Sequence, residues 1–368
     1  GSSNSGDLVF RNFTVEWNGC GETYPGQEPH NCWGQTAGGY GDGLGTAATG
    51  GHWTFEDSVF RHNTSDGLDL LYLGRGTAPS SVTVRRTRSY GNAGDQMKVA
   101  GPTRIENSLL VSECGFFAGK PFTSHVDHCR SGGSALALDL YPGQQSRVVN
   151  TTLAGQGDCL VIAACAEGEN CNGSERITFL NSILQGYQEF HDPTDQACGM
   201  WIDQNTTPAG VQLNLDYNVL FGLKAGTWPR PGSRDVFQDP LLQNAALSSF
   251  DARLKPGSPA LDSGLPPGSQ GLVPNNDIEG NPRPMGRGTD RGCYEQGGSS
   301  FSPGVLQLLL ARRAAAPSRP ACCCSFWATR YPAHPRSYPR PTGPRFPERR
   351  SRFAGMPFPG RQNIDFRY

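Results

Sequence analysis

Two stretches decide the fold: Asn63-Thr64-Ser65-Asp66-Gly67-Leu68-Asp69-Leu70 and Asn92-Ala93-Gly94-Asp95-Gln96-Met97-Lys98-Val99. Asn63 and Asn92, Asp66 and Asp95, and Asp69 and Lys98 are each 29 residues apart, as are Asp57 and Arg86. A constant offset at four positions is that of two solenoid coils in register. Register sets Lys98 directly above Asp69, at a strand spacing of about 4.8 Å. Asp42, 24 residues before Asp66, falls in the coil below.

The same phrase recurs on either side: an apolar strand, then Asn or Asp, then Ser or Thr, then another apolar residue. It reads Phe55-Glu56-Asp57-Ser58-Val59-Phe60, Ile105-Glu106-Asn107-Ser108-Leu109-Leu110 and Val148-Val149-Asn150-Thr151-Thr152-Leu153, and continues at 177–184 and 213–220. Coil starts are expected at Asn107, His128 and Asn150, 21 or 22 residues apart, with longer spacings elsewhere. With 48 glycines and almost no helical periodicity, the chain reads as all-β, a right-handed parallel β-helix. The inserts Gly19–Gly41 and Ala164–Ser174 are expected to project from one face and shape a groove. No stretch has the length of a membrane span. The chain opens GSSNSGDLVF without an apolar leader, and Val9 to Asn12 already reads as mid-coil, so a fragment lacking earlier coils is expected.

Three regions are expected: β-helix coils over 1–238, final coils and cap over 239–299, and a disordered tail over 300–368. The middle region carries Asp239-Pro240, Arg253-Leu254-Lys255-Pro256-Gly257-Ser258-Pro259-Ala260-Leu261-Asp262-Ser263-Gly264, Pro282-Arg283-Pro284 and Asp290 to Glu295. In this order the phrases resemble the C-terminal region of bacterial exported β-helix proteins. That resemblance implies structural roles for Arg283, Asp290 and Glu295. Beyond residue 300, twelve arginines stand against two acids, Glu348 and Asp365, in a chain of net charge −1. So basic and Pro-rich a segment cannot bury a core. It reads as out-of-frame coding of GC-rich DNA, and no nucleic-acid partner is expected.

Nine cysteines precede residue 300. The groups Cys20/Cys32 and Cys159/Cys165/Cys171 suit disulfides, hence an oxidising compartment and a secreted or cell-surface protein. Cys114 and Cys129 fit either a bond or buried free thiols. No CxxC pair with a matching histidine cluster suggests zinc. His62, His125, His128 and His191 are scattered and read as stacking or surface residues.

Calcium takes oxygen ligands from carboxylates at fixed spacing, and Asp42, Asp66 and Asp69, with Ser65, could surround one ion. Lys98 then stands one coil above as a base. An acidic sugar held through its C5 carboxylate has a more acidic C5–H. A neutral lysine can remove that proton, and the C4–O bond breaks by β-elimination. An ordinary lysine titrates near about 10.4, so activity is expected mainly at alkaline pH.

Gly41-Asp42-Gly43, Ser65 to Leu70 and Gly94 to Gly101 resemble the active-site coils of the family-nine polysaccharide lyases, calcium-dependent pectate lyases with a right-handed β-helix. The resemblance implies Asp42, Asp66 and Asp69 as calcium ligands and Lys98 as the Brønsted base. Ser65 stands where that family has the first Asp of a pair, and Gln96, Met97 and Ala100 depart from its Gly-rich phrase. Asp95, Tyr40 and Tyr72 are weaker candidates for substrate contact, and Trp53 is expected to fill the coils. The partner expected is an acidic polysaccharide, bound by a monomer. Two readings compete. Asp-Gly before a strand is ordinary turn chemistry, so a non-catalytic β-helix binding glycan or a protein would carry the same residues. A carboxylate-pair glycosidase using Asp66 or Asp69 with Asp95 would need no lysine.

Overall fold

The computed structural model describes residues 3–19, 41–120 and 128–297, excluding the side chain of residue 131. Tyr40, Cys20, Cys32, His125 and the tail from 300 onward lie outside the described residues.

Three parallel sheets run the length of the described body. The first holds β1 (Asp7–Arg11), β4 (Gly51–Glu56), β7 (Ser80–Arg85), β10 (Thr103–Glu106), β13 (Gln145–Val149), β16 (Arg176–Leu180) and β19 (Gln212–Asp216). The second holds β2 (Thr14–Glu16), β5 (Val59–Arg61), β8 (Arg88–Tyr90), β11 (Leu109–Ser112), β14 (Thr152–Gly155), β17 (Ile183–Gly186) and β20 (Val219–Phe221). The third holds β3 (Leu44–Gly45), β6 (Leu68–Leu70), β9 (Met97–Ala100), β12 (Leu136–Leu140), β15 (Cys159–Cys165) and β18 (Cys198–Ile202). Each of the first six coils contributes one strand to each sheet and the seventh one to each of the first two, which is the parallel β-helix expected from the sequence. Among the described residues no helix is long and apolar enough to cross a membrane.

The 29-residue offset is the register itself: Gly51 pairs with Ser80, Phe60 with Ser89 and Asp69 with Lys98. Alternate residues point inward and stack coil on coil. Phe55, Val84, Ile105 and Val148 line the first sheet, Phe60, Leu110 and Leu153 the second, and Leu68, Met97, Leu136 and Val161 the third, all essentially buried. Trp53 packs on Phe10 and Phe55, filling the coil as expected.

The recurring Asn/Asp–Ser/Thr phrase is the bend between the first two sheets. Asn12, Asp57, Arg86, Asn107, Asn150 and Asn181 all take positive φ there, a conformation that Asn and Asp tolerate better than most residues. The hydroxyl that follows accepts the backbone N–H of the coil below, as from Phe13 to Ser58, Thr87 to Ser108 and Thr151 to Ser182.

Two expectations need correction. Glu106 pairs directly with Val149, so His128 starts no coil and lies in one long connection between β11 and β12. The insert expected over Gly19–Gly41 lies almost wholly outside the described residues, and the other, Ala164–Ser174, begins within β15 and connects the third sheet to the first. Finally, residues 239–297 add no strand to the three sheets. Their β21 (Leu242–Asn244) and β22 (Asp251–Leu254) pair antiparallel. Ala252, Ile278 and Tyr294 cover Leu109 and Val111 of the second sheet, and Leu242, Leu254 and Ala260 cover Ile183 and Val219. Apolar side chains on the outside of that sheet demand such a cover. Arg283 and Glu295 form a 2.8 Å pair with both side chains fully buried, and Asp290 accepts the backbone N–H groups of Asp262 and Gln296.

Candidate functional site

The bend into the third sheet carries a ladder of carboxylates. Asp42 Oδ1 accepts the backbone N–H of Asp66 (3.0 Å), Asp66 Oδ1 that of Asp95 (2.7 Å), and Asp95 Oδ1 that of Ser134 (2.6 Å). Asn18, Asn63 and Asn92 form a parallel ladder beside it. Gly94 lies so close to the coil below that a Cβ there would run into Asp66 Oδ1, so the Gly-Asp phrase follows from the stacking.

The ladder uses one oxygen of each acid. Asp66 Oδ2 is 2.7 Å from Lys98 Nζ, Asp95 Oδ2 is 3.6 Å away and Asp69 Oδ2 is 4.0 Å away. Asp69 Oδ1 accepts the N–H of Leu71 at 3.0 Å. Lys98 is only 4% exposed, so its ammonium sits in a carboxylate cage. Burial, then repulsion from Asp66 and Asp69, pushes Asp42 up to about 7. Burial raises Asp69 against the pull of Lys98, and pushes Asp95 up to about 8.

Asp42, Asp66 and Asp69 each bring one carboxylate oxygen within 4.8 Å of the others. Oxygens bound to one calcium at about 2.4 Å lie no more than about 5 Å apart, so this donor set fits a hard cation. Ser65 belongs to the same cluster in a different way. Its hydroxyl accepts from Arg130 Nη1 at 2.9 Å and hydrogen-bonds to Asp42. Asp95 is fully buried, with Oδ1 spent on the Ser134 turn and Oδ2 facing Lys98. The Tyr72 ring lies 4.5 Å from the Arg75 guanidinium.

Two residues of the site escaped the sequence reading. Arg130 is 8% exposed and arrives from the long connection that was mistaken for a coil. Asp139 stands beside the site in register with Ala100. Burial pushes its carboxyl up to about 7, and its enclosed Oδ2 has no hydrogen-bond partner among the described residues. The apolar alternation of Leu136-Ala137-Leu138-Asp139-Leu140 marked Asp139 as outward-facing, but nothing in the sequence marked Arg130. In register above Asp69 and Lys98 the third sheet continues with Ala137, Ile162 and Trp201. The described histidines add no ligand to the cluster. His62 stacks on Phe116 at 3.9 Å, and burial lowers it to about 4.

No protein-family model matches this chain, and no curated protein does. Among solved structures it is similar to one described as the crystal structure of pectate lyase Pel9A. The identity is 13% and the TM-score 0.33, over 78% of this chain and 59% of that one. This chain thus spans somewhat over half the length of that protein.

Proposed function

We propose that this protein is an exported, calcium-dependent lyase that cleaves a uronic-acid polysaccharide of the pectate type by β-elimination. The observation that carries the reading is the convergence of Lys98 with Asp66 and Asp69 beside a three-carboxylate donor set. The local charge supports it. Once Asp42 and Asp95, raised by burial, have ionised, the four carboxylates Asp42, Asp66, Asp69 and Asp95 outnumber Lys98 and Arg130 by two negative charges, an excess that one divalent cation would balance.

Asp42, Asp66 and Asp69 would hold the ion. Bound calcium would neutralise the sugar's C5 carboxylate and stabilise charge developing beside it. Lys98 Nζ, once neutral, takes the C5 proton. The released electron pair forms the C4–C5 double bond, and the C4–O bond breaks with its electrons leaving on the glycosidic oxygen. That oxygen takes a proton from the Lys98 ammonium or from water. Carboxylates close to Lys98 favour its ammonium form, so turnover requires alkaline pH. Asp66 and Asp95 fix the position of the amine. Among the described residues, the disulfides Cys114–Cys129, Cys159–Cys198 and Cys165–Cys171 support export to an oxidising compartment.

One observation favours the competing reading of a non-catalytic glycan binder: the carboxylate ladder also fastens successive coils. The two readings part on product. Incubation with polygalacturonate at alkaline pH should raise the ultraviolet absorbance of unsaturated uronide with calcium and not with chelator. A flat trace from folded protein sinks pectate cleavage.

A further inference from the structure

We propose that Arg130 couples cation binding at Asp42, Asp66 and Asp69 to binding of the substrate's acid group. The inference rests on the cation-assisted reading above but is tested without turnover.

The connection between β11 and β12 is built to deliver this side chain. The Cys114–Cys129 disulfide closes it at the residue before Arg130, and the Arg130 N–H bonds to Ala93 O at 3.1 Å. Gly133 takes φ 59, and a Cβ there would press on Cys129 at 2.9 Å and Cys114 Sγ at 3.1 Å. The outcome is a buried guanidinium 2.9 Å from Ser65 Oγ, one hydroxyl away from Asp42, and its charge is felt at Asp69.

A guanidinium keeps its charge in any protein environment. So close to three cation ligands, it opposes the arrival of a divalent ion. A carboxylate placed between ion and guanidinium is attracted by both, and its negative charge offsets their repulsion. Guanidinium also matches carboxylate geometry better than a point charge does. Free protein therefore holds calcium weakly, and an acidic sugar strengthens that hold. By reciprocity, calcium strengthens the binding of the acidic sugar by the same factor. Ser65, engaged by Arg130 and Asp42, serves as the link between them and not as a metal ligand.

Calcium titration of the whole chain, with and without galacturonate monosaccharide, tests this, because that sugar has the carboxylate but no glycosidic bond to break. Saturating galacturonate should tighten calcium binding about tenfold or more in the wild type, and the neutral sugar galactose should not. Arg130→Gln should bind calcium about tenfold more tightly without sugar, and its coupling should fall below about twofold. Arg130→Lys, which keeps the charge, should stay within about threefold of wild-type coupling. Weaker calcium binding by folded Arg130→Gln, or coupling that survives in it, overturns the inference; so does a folded Arg130→Lys without coupling. A wild type that takes up no calcium removes the inference and the cation from the reading above. Coupling without unsaturated product leaves the inference standing and sinks the lyase.

Discussion

Asp66 joins two coils through its two oxygens: Oδ2 lies 2.7 Å from Lys98 Nζ, while Oδ1 accepts the backbone N–H of Asp95 at 2.7 Å. One carboxylate thus fixes both the spacing of the stack and the position of the candidate base. Structural and chemical roles are not alternatives at this residue.

Lys98→Met separates them. It retains the length of the side chain but removes the charge and the amine. Unsaturated product should fall at least about a hundredfold, the low end of what a general base contributes. In chelator the caged carboxylates lose their counter-charge, and urea unfolding should register a loss of about 3 kcal/mol. Undiminished product from this variant would remove Lys98 from the chemistry.

Asp139 makes a pH prediction. Its carboxyl stands at about 7 because it is buried, against an ordinary value near 3.9. The folded chain therefore keeps a proton that the unfolded chain gives up. This contribution to stability is complete below about pH 4 and is lost as pH rises toward about 7. Thermal unfolding in chelator should show a smaller fall in Tm from pH 5 to pH 8 in Asp139→Asn than in the wild type. Equal falls would contradict the burial argument.

Arg283 lies far from the cluster in function. Removing one partner of its fully buried pair with Glu295 should destabilise the protein by about 3–5 kcal/mol. Calcium affinity of folded Arg283→Met should stay within about twofold of wild type, as the strap formed by residues 239–297 covers the second sheet and not the third. A large change would mean the two regions are coupled.

Replacing Cys114 and Cys129 together by serine opens a loop with a sequence separation of 15. The expected loss is about 3 kcal/mol by urea midpoint. Freed from that anchor, Arg130 should hold its place less firmly, and calcium affinity should rise as in Arg130→Gln. Unchanged affinity would show that the turn positions Arg130 without the bond.

Much of this was legible because coil-to-coil register is a linear property of sequence. The offset linking Asp69 to Lys98 is the pairing of β6 with β9, and the repeated Asn–Ser phrase marks a bend whose backbone few other residues tolerate. Register failed where a coil lengthens: between Glu106 and Val149 the spacing no longer reports stacking, so Arg130 stayed invisible and His128 was misplaced. The C-terminal segment misled for another reason. Its apolar residues cover the outside of a sheet and do not fill a coil, and a hydrophobic pattern does not say which side it will cover. Ser65 was recognised as part of the site, but only the fold supplies the guanidinium that occupies its hydroxyl.

The strap also fixes an order of events. Asn181 bonds to Leu265 and Asn107 to Arg283, partners 84 and 176 positions later in the chain. A ribosome, or a translocation pore passing the chain from its N-terminus, releases the coils long before their fastener. Until residue 295 has emerged, Leu109, Val111, Ile183 and Val219 face water, a sticky surface on an otherwise paired stack. Chaperone dependence should therefore track completion of the polypeptide, not formation of the coils.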